Sequence, residues 1–264
     1  MSRNLRAEII ENTPVNQTHN LLILSSQEIL KNPVPGQFYM IGTNNSYDPL
    51  LKRPFSLFRK TSGEVHFLYR IKGKGTEKMR QMKKGTAVSM FGPLGNGYSM
   101  PGKNLTPLLV AGGIGIASLF PLIEKLGKNA YLFYGGRTTE ELLMLDELRG
   151  MVKELIISTD NGSTGRKGTV IDVLKDFLTS HFSLLTSGLI YACGPAPMLE
   201  AVSKVASEKG IKGYISMEEN MACGVGACLG CAVKTKKGYK RVCKEGPVFP
   251  IEEIVWEHKD MYEK

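Results

Sequence analysis

Four of the chain's five cysteines fall close together near its C-terminus, at Cys223, Cys228, Cys231 and Cys243, in the spacing Cys-x4-Cys-x2-Cys-x11-Cys. The first three occupy nine residues and are separated by Gly224, Gly226, Ala227 and Gly230 among others. Side chains this small make a tight loop in which backbone N–H groups can approach whatever the thiolates hold. That is the chemistry of an iron–sulfur cluster: four thiolates hold the irons, and N–H groups aimed at the sulfurs offset negative charge and help set the reduction potential.

The first three cysteines have the plant-type spacing for a [2Fe–2S] cluster, and the fourth comes sooner than that pattern has it. A structural zinc site is the alternative, but it is usually built from two Cys-x2-Cys knuckles, and here only Cys228 and Cys231 form one. Disulfides fit less well. The chain of 264 residues is long enough for a cysteine-free core, and residues 1–6 carry no secretory signal, so no disulfide framework is expected.

The composition is that of an ordinary globular protein, 42% hydrophobic and 22% charged, and no apolar run approaches a membrane span, so a cytoplasmic protein is expected. The net charge of +9 would suit an acidic surface or nucleic acid, yet the cations are spread along the chain without a stripe or aromatic interleaving, and nucleic-acid binding is not expected. Only Lys234, Lys236, Lys237, Lys240 and Arg241 gather, between the third and fourth cysteines. A solvated hairpin explains them; the alternative is a docking surface or a counterweight to an anionic cluster.

Three regions must position this loop: 1–100, 101–216 and 217–264. The first reads as short strands at 5–11, 19–25, 36–42, 55–59, 65–71 and 87–92, a small antiparallel β-barrel. Two stretches in it could do chemistry. Arg53, Pro54, Phe55 and Ser56 bring a cation, a rigid turn, a ring and a hydroxyl together at a strand start. Tyr69, Arg70, Ile71, Lys72, Gly73, Lys74, Gly75 and Thr76 lead into a helix expected at 77–82. A glycine-rich turn before a helix offers bare N–H groups to a phosphate, the alternative being a loop with an N-cap threonine.

The second region opens with a buried strand from Pro107 that turns through Gly112, Gly113 and Gly115 into an apolar helix at 117–126. It continues as strand 130–134, helix 140–150, strand 154–158, helix 170–178, strand 188–192, helix 197–209 and strand 213–216, which makes five parallel strands in a doubly wound α/β domain. A dinucleotide binds at the C-terminal ends of such strands. Gly112, Gly113, Gly115, Gly135, Gly136, Arg137, Asp160, Cys193, Gly194 and Pro195 occupy those loops, and Met198 follows. The third region carries the cysteine loop, a hairpin at 232–235 and 239–243, and a tail whose Trp256 is expected to pack on the barrel or hairpin, or else to anchor a partner.

This order of stretches resembles the ferredoxin-reductase family, in which a flavin-binding barrel precedes a nicotinamide domain. By that resemblance Arg53 pairs with the FAD phosphate, Phe55 lies against the isoalloxazine, Ser56 hydrogen-bonds near its N5, and the glycine turn from Tyr69 to Thr76 holds the pyrophosphate. Many members carry tyrosine where this chain has Phe55. The likeness also places Cys193 at the gap where hydride passes, the alternative being a small buried residue ending a strand. Asp160 sits near the expected adenosine end, which favours NAD over NADP, with Arg166 and Lys167 as the cations the other choice would use. Hydride transfer between two cofactors needs alignment, and no catalytic base is expected.

The chain as a whole, most specifically from Glu218, Glu219, Asn220 and Met221 through Cys243 to Phe249, resembles the electron-transfer subunits of NAD-dependent dihydroorotate dehydrogenases. The resemblance implies FAD, one [2Fe–2S] cluster and NAD(H) as co-substrate. It also implies an FMN-containing catalytic partner subunit in a heterotetramer of two of each. Related architectures serve NADH-dependent ferredoxin:NADP oxidoreductase and sulfide dehydrogenase. A zinc-containing binding protein is the alternative from a different class.

Overall fold

The computed structural model describes residues 3–26, 32–43 and 48–256; the last part of the expected cluster segment, 257–264, lies outside the described residues. Seven strands make the first sheet: β1 (Arg3–Pro14), β2 (His19–Ser25), β3 (Phe38–Ile41), β4 (Arg53–Ser56), β5 (Arg59–Lys60), β6 (Glu64–Arg70) and β7 (Ala87–Leu94). Their order is β4-β3-β7-β1-β2-β6-β5, with antiparallel pairing throughout. The sheet curls into a half-barrel until β4 returns beside β6, around a core of Leu22, Leu24, Phe55, Phe67 and Tyr69.

The strand expected at 55–59 is interrupted. The Leu57 amide donates to Gln37 O and the next amide, Phe58, to His66 O, so the chain leaves the β3 ladder for β6 between the two residues. The helix after the glycine turn, α1 (Lys74–Arg80), begins three residues earlier than expected. Gly73, at φ 80°, is its N-cap, so Thr76 lies inside the first turn rather than at the cap. The Thr76 hydroxyl donates to Gly73 O at 3.1 Å and accepts from the Lys72 amide at 2.7 Å.

The second sheet is built from β8 (Thr106–Gly112), α2 (Ile116–Leu126), β9 (Tyr131–Gly136), α3 (Leu145–Met151), β10 (Glu154–Thr159), β11 (Arg166–Lys167), α4 (Val170–Ser180), α5 (Leu184–Ser187), β12 (Gly188–Cys193), α6 (Ala196–Lys209) and β13 (Lys212–Ser216). The cysteine region adds a hairpin, β14 (Ala232–Thr235) and β15 (Gly238–Arg241), and a last strand, β16 (Val248–Pro250). The order is β11-β10-β9-β8-β12-β13-β16. All five expected parallel strands are present. Two edges add to them: β11, parallel, and β16, which pairs antiparallel with β13 and so ties the C-terminal segment into the parallel sheet. Helices cover both faces: Leu108, Val110 and Ile190 pack into one core and Leu109, Ala111 and Tyr191 into another, which is why these strands read as unbroken apolar runs.

The helix expected at 140–150 is split. Residues 139–141 form a 3-10 turn, Met144 takes φ 60°, and α3 starts only at Leu145. The Tyr134 hydroxyl accepts the Leu143 amide at 2.8 Å, which fixes the loop against β9 where a continuous helix would lift away. Trp256 packs on the core that includes Val233 and Val242 of the hairpin region. Among the described residues no helix is long and apolar enough to cross a membrane.

Candidate cofactor cleft and cysteine loop

Between the half-barrel and the C-terminal ends of the parallel strands lies a cleft of about 1240 Å³. This exceeds the ~300–1,000 Å³ of an ordinary small-molecule pocket, which leaves room for two ligands side by side. From the barrel it takes Arg53, Pro54, Phe55, Ser56, Tyr69, Arg70, Ile71, Lys72 and Thr76; from the parallel sheet, Gly112, Gly113, Gly115, Gly135, Arg137, Asp160, Gly194, Pro195 and Met198. Residues far apart in sequence therefore line one cleft. Of the expected set, Gly73, Lys74, Gly75 and Cys193 do not line the cleft.

Gly75 matters all the same. A Cβ built on it would stand 2.3 Å from Arg53 Nε and 2.5 Å from Arg53 Cζ. The guanidinium thus lies against the first turn of α1, where free backbone N–H groups and a cation meet. An anionic group would find donors on both sides there. Phe55 is 9% exposed and packs its ring on Tyr69 at 5.5 Å and Phe67 at 6.5 Å between centroids, so it offers the cleft only part of its surface.

On the nucleotide side the turns after β8 and β12 touch. A Cβ on Gly115 would stand 2.2 Å from Cys193 O, and one on Gly194 would stand 3.0 Å from the Gly112 nitrogen. Met198 lies across both turns, with its Sδ 2.6 Å from where a Gly112 Cβ would be. The glycines are required by this contact between backbones.

Of the two readings of Cys193, its burial at 1% exposure favours the small residue that ends a strand. Burial pushes its thiol well above the ordinary range, against hydrogen bonds with Ser118 and Ser216, and such a thiol is inert as a nucleophile. Arg166 and Lys167 lie on the outer strand β11, outside the cleft, and Arg166 is ion-paired with Asp176.

Sequence reasoning did not single out residues 216 and 217, nor His19, Glu141, Thr169 and Asp172, all of which line the cleft. Ser216 and Met217 end β13, and the rule that ligands lie at the C-terminal ends of parallel strands could have found them. Thr169 and Asp172 form a capping box at the start of α4, legible as Thr-x-x-Asp. Glu218 also faces the cleft. It is solvent-accessible through the opening but enclosed by protein elsewhere, and this desolvation raises its carboxyl pKa while Lys72 opposes the shift.

The cysteine loop follows directly. Cys223 and Cys228 interact with each other, and so do Cys231 and Cys243. The Gly226 amide donates to Cys243 Sγ at 3.1 Å, the Val225 amide to Cys223 Sγ at 3.5 Å, and the Cys243 amide to Cys231 Sγ at 3.5 Å. The Val225 amide, with those of Cys228 and Ala227, holds the Cys223 thiol down to about 6; burial pushes Cys243 up to about 12. Arg241 Nη1 donates to Gly226 O at 2.8 Å, its Nε and Nη2 donate to the Glu245 carboxylate, and its charge faces Cys243 and Cys231. Among the described residues no three His, Cys, Asp or Glu side chains are grouped as a single metal ion would need. Cys243 also faces Cys223, so the four thiols lie together with amides directed at their sulfurs, a donor set that fits a binuclear cluster.

The family model described as the iron-sulfur cluster binding domain of dihydroorotate dehydrogenase B matches residues 218–255, and the oxidoreductase NAD-binding domain matches residues 109–204. The chain is 40% identical to the dihydroorotate dehydrogenase B (NAD(+)) electron transfer subunit homolog of Aquifex aeolicus, across 97% of this chain and 100% of that protein. It is 36% identical to the electron transfer subunit from Desulforamulus reducens over the same shares. Among solved structures, that of the NADH-dependent reduced ferredoxin-NADP oxidoreductase matches with TM-score 0.82 and 29% identity, over 95% of this chain and 90% of the other. The ferredoxin reductase of carbazole 1,9a-dioxygenase shares the fold at TM-score 0.68 and 21% identity, over 80% and 67% of the two chains. With identity at this level over nearly the full length of both partners, the chain belongs to the family of dihydroorotate dehydrogenase B electron transfer subunits.

Proposed function

We propose that this chain is the electron-transfer subunit of a cytoplasmic NAD-dependent dihydroorotate dehydrogenase in pyrimidine biosynthesis. The observation that carries the reading is a continuity. Residues 216–221 line the cleft, and two positions later Cys223 opens the paired thiols, so one short stretch links the nucleotide site to the cluster site.

When bound, FAD exchanges hydride with the nicotinamide and single electrons with a [2Fe–2S] cluster, which makes the subunit a converter between one- and two-electron chemistry. The residues serve that conversion by position. Arg53 and the first turn of α1 hold the flavin phosphates, and Ser56 supplies a hydroxyl on β4 within the cleft. The glycine turns after β8 and β12 admit the dinucleotide backbone. Cys223, Cys228, Cys231 and Cys243 hold the cluster, and Arg241 braces its loop while offsetting its charge. Exposed Val225 and Leu229 flank exposed Cys228, an apolar approach for the FMN-containing catalytic subunit. Two of each chain would make the working heterotetramer.

The likeness to the NADH-dependent reduced ferredoxin-NADP oxidoreductase supports a second reading, in which the same converter serves another flavoprotein partner. The two are separated by assay. The isolated chain is expected to oxidise NADH with an artificial acceptor and to leave dihydroorotate untouched. Adding the FMN-containing dihydroorotate dehydrogenase subunit is expected to produce dihydroorotate-dependent NAD+ reduction. Turnover of dihydroorotate by the isolated chain would overturn the subunit reading, and no gain on reconstitution would favour the second one.

A further inference from the structure

Arg137, Glu141 and Asp160 meet at one corner of the cleft, because Gly136 and Thr159 are register partners at the ends of β9 and β10. Glu141 clasps Arg137 at three points. Its Oε2 accepts the Arg137 amide at 3.0 Å, and its Oε1 accepts Nε at 2.8 Å and also Nη2. The carboxylate is well placed in advance: the Leu143 amide donates to the Tyr134 hydroxyl at 2.8 Å, and the Thr139 amide ties the same turn to Ser163 Oγ at 2.9 Å. Glu141 is 21% exposed and Arg137 67%, so the acid is seated and the cation is drawn to it. Asp160 adds a second negative charge beside Arg137, while Arg70 faces Glu141 from the barrel.

A dinucleotide whose pyrophosphate rests on the glycine turn after β8 directs its adenosine ribose toward the ends of the neighbouring strands. A 2′-phosphate arriving there needs an available guanidinium. Arg137 is already engaged by Glu141, Arg70 faces the same carboxylate from the barrel, and Arg166, farther out, is held by Asp176. We infer that Glu141 is a specificity-determining residue: by occupying Arg137 it withholds the cation a 2′-phosphate would use, so the corner accepts NAD(H) and disfavours NADP(H). The inference rests on the cleft being a nicotinamide site.

The test compares kcat/KM for NADH and NADPH with an artificial acceptor, using flavin-loaded, cluster-containing wild type, Glu141→Gln, Arg137→Ala and the double variant. Glu141→Gln frees the guanidinium and is expected to lower the NADH-to-NADPH ratio about tenfold or more, mainly through a lower KM for NADPH. Removing Arg137 from that variant is expected to reverse most of the gain. Arg137→Ala alone leaves Glu141 in place and is expected to discriminate at least as strongly as wild type, which keeps the test open should Glu141→Gln fold poorly. An unchanged ratio in Glu141→Gln, a gain that survives loss of Arg137, or weaker discrimination in Arg137→Ala overturns the inference. Failure of the wild type to oxidise NADH would instead overturn the reading of the cleft itself.

Discussion

The guanidinium of Arg53 crosses Gly75 so closely that a single methyl group on the glycine would lie 2.3 Å from Nε. The neighbour that must move is the far end of a flexible side chain. Gly75→Ala should therefore fold normally but displace the cation from the first turn of α1. Losing a charge-assisted hydrogen bond of about 1.5–3 kcal/mol weakens binding roughly tenfold to a hundredfold. The expected outcome is a protein with native circular dichroism and flavin affinity reduced by that factor, measured by fluorescence on FAD titration.

Gly115 presents the opposite case. Its Cβ would meet Cys193 O at 2.2 Å, which is backbone and cannot swing aside. Gly115→Ala is expected to cost about 1–3 kcal/mol in stability as the turns after β8 and β12 are forced apart. Gly150, inside α3, has no atom within 4 Å of its Cβ position, and Gly150→Ala should leave stability unchanged or raise it by up to about 1 kcal/mol. Denaturant unfolding of the pair checks both signs.

Cys228 is the exposed member of the four thiols, so its removal spares the core. Cys228→Ala should lose nearly all iron and acid-labile sulfide yet still reduce a dye with NADH in the cleft, while failing to exchange electrons with the catalytic subunit. Retention of a full metal complement by this variant would contradict the four-thiol assignment.

The Arg241–Glu245 pair gives a pH dependence with a definite sign. Arg241 holds the Glu245 carboxyl down to about 2 from its ordinary 4.5. A depressed acid stabilises the fold above its unfolded pKa and loses that contribution as pH falls through the folded one. The melting temperature of wild type should exceed that of Glu245→Gln at neutral pH, and the difference should shrink from about pH 4.5 toward pH 2.

Much of this arrangement is legible in the chain. The cysteine spacing and the unbroken apolar runs of β8, β9 and β12 report local chemistry and burial on both faces, which sequence records directly. What escaped depends on distant partners. The break at Leu57 and Phe58 exists because Gln37 and His66 draw successive amides to different strands, and the break before α3 exists because Tyr134 holds the Leu143 amide. The family likeness places Cys193 at the cleft, yet it is buried and hydrogen-bonded with Ser118 and Ser216. Glu141 looked like one acid in a helix, and only the turn shows it clasping Arg137.

The most direct test of the central claim is an anaerobic NADH titration of the purified chain, followed by visible absorption and electron paramagnetic resonance, with iron, sulfide, zinc and flavin assayed on the same sample. The expected result is two irons, two sulfides and one FAD per chain, with flavin bleaching accompanied by the signal of a reduced [2Fe–2S] cluster. A colourless protein holding zinc, or a flavin that NADH reduces while no cluster signal appears, would contradict it.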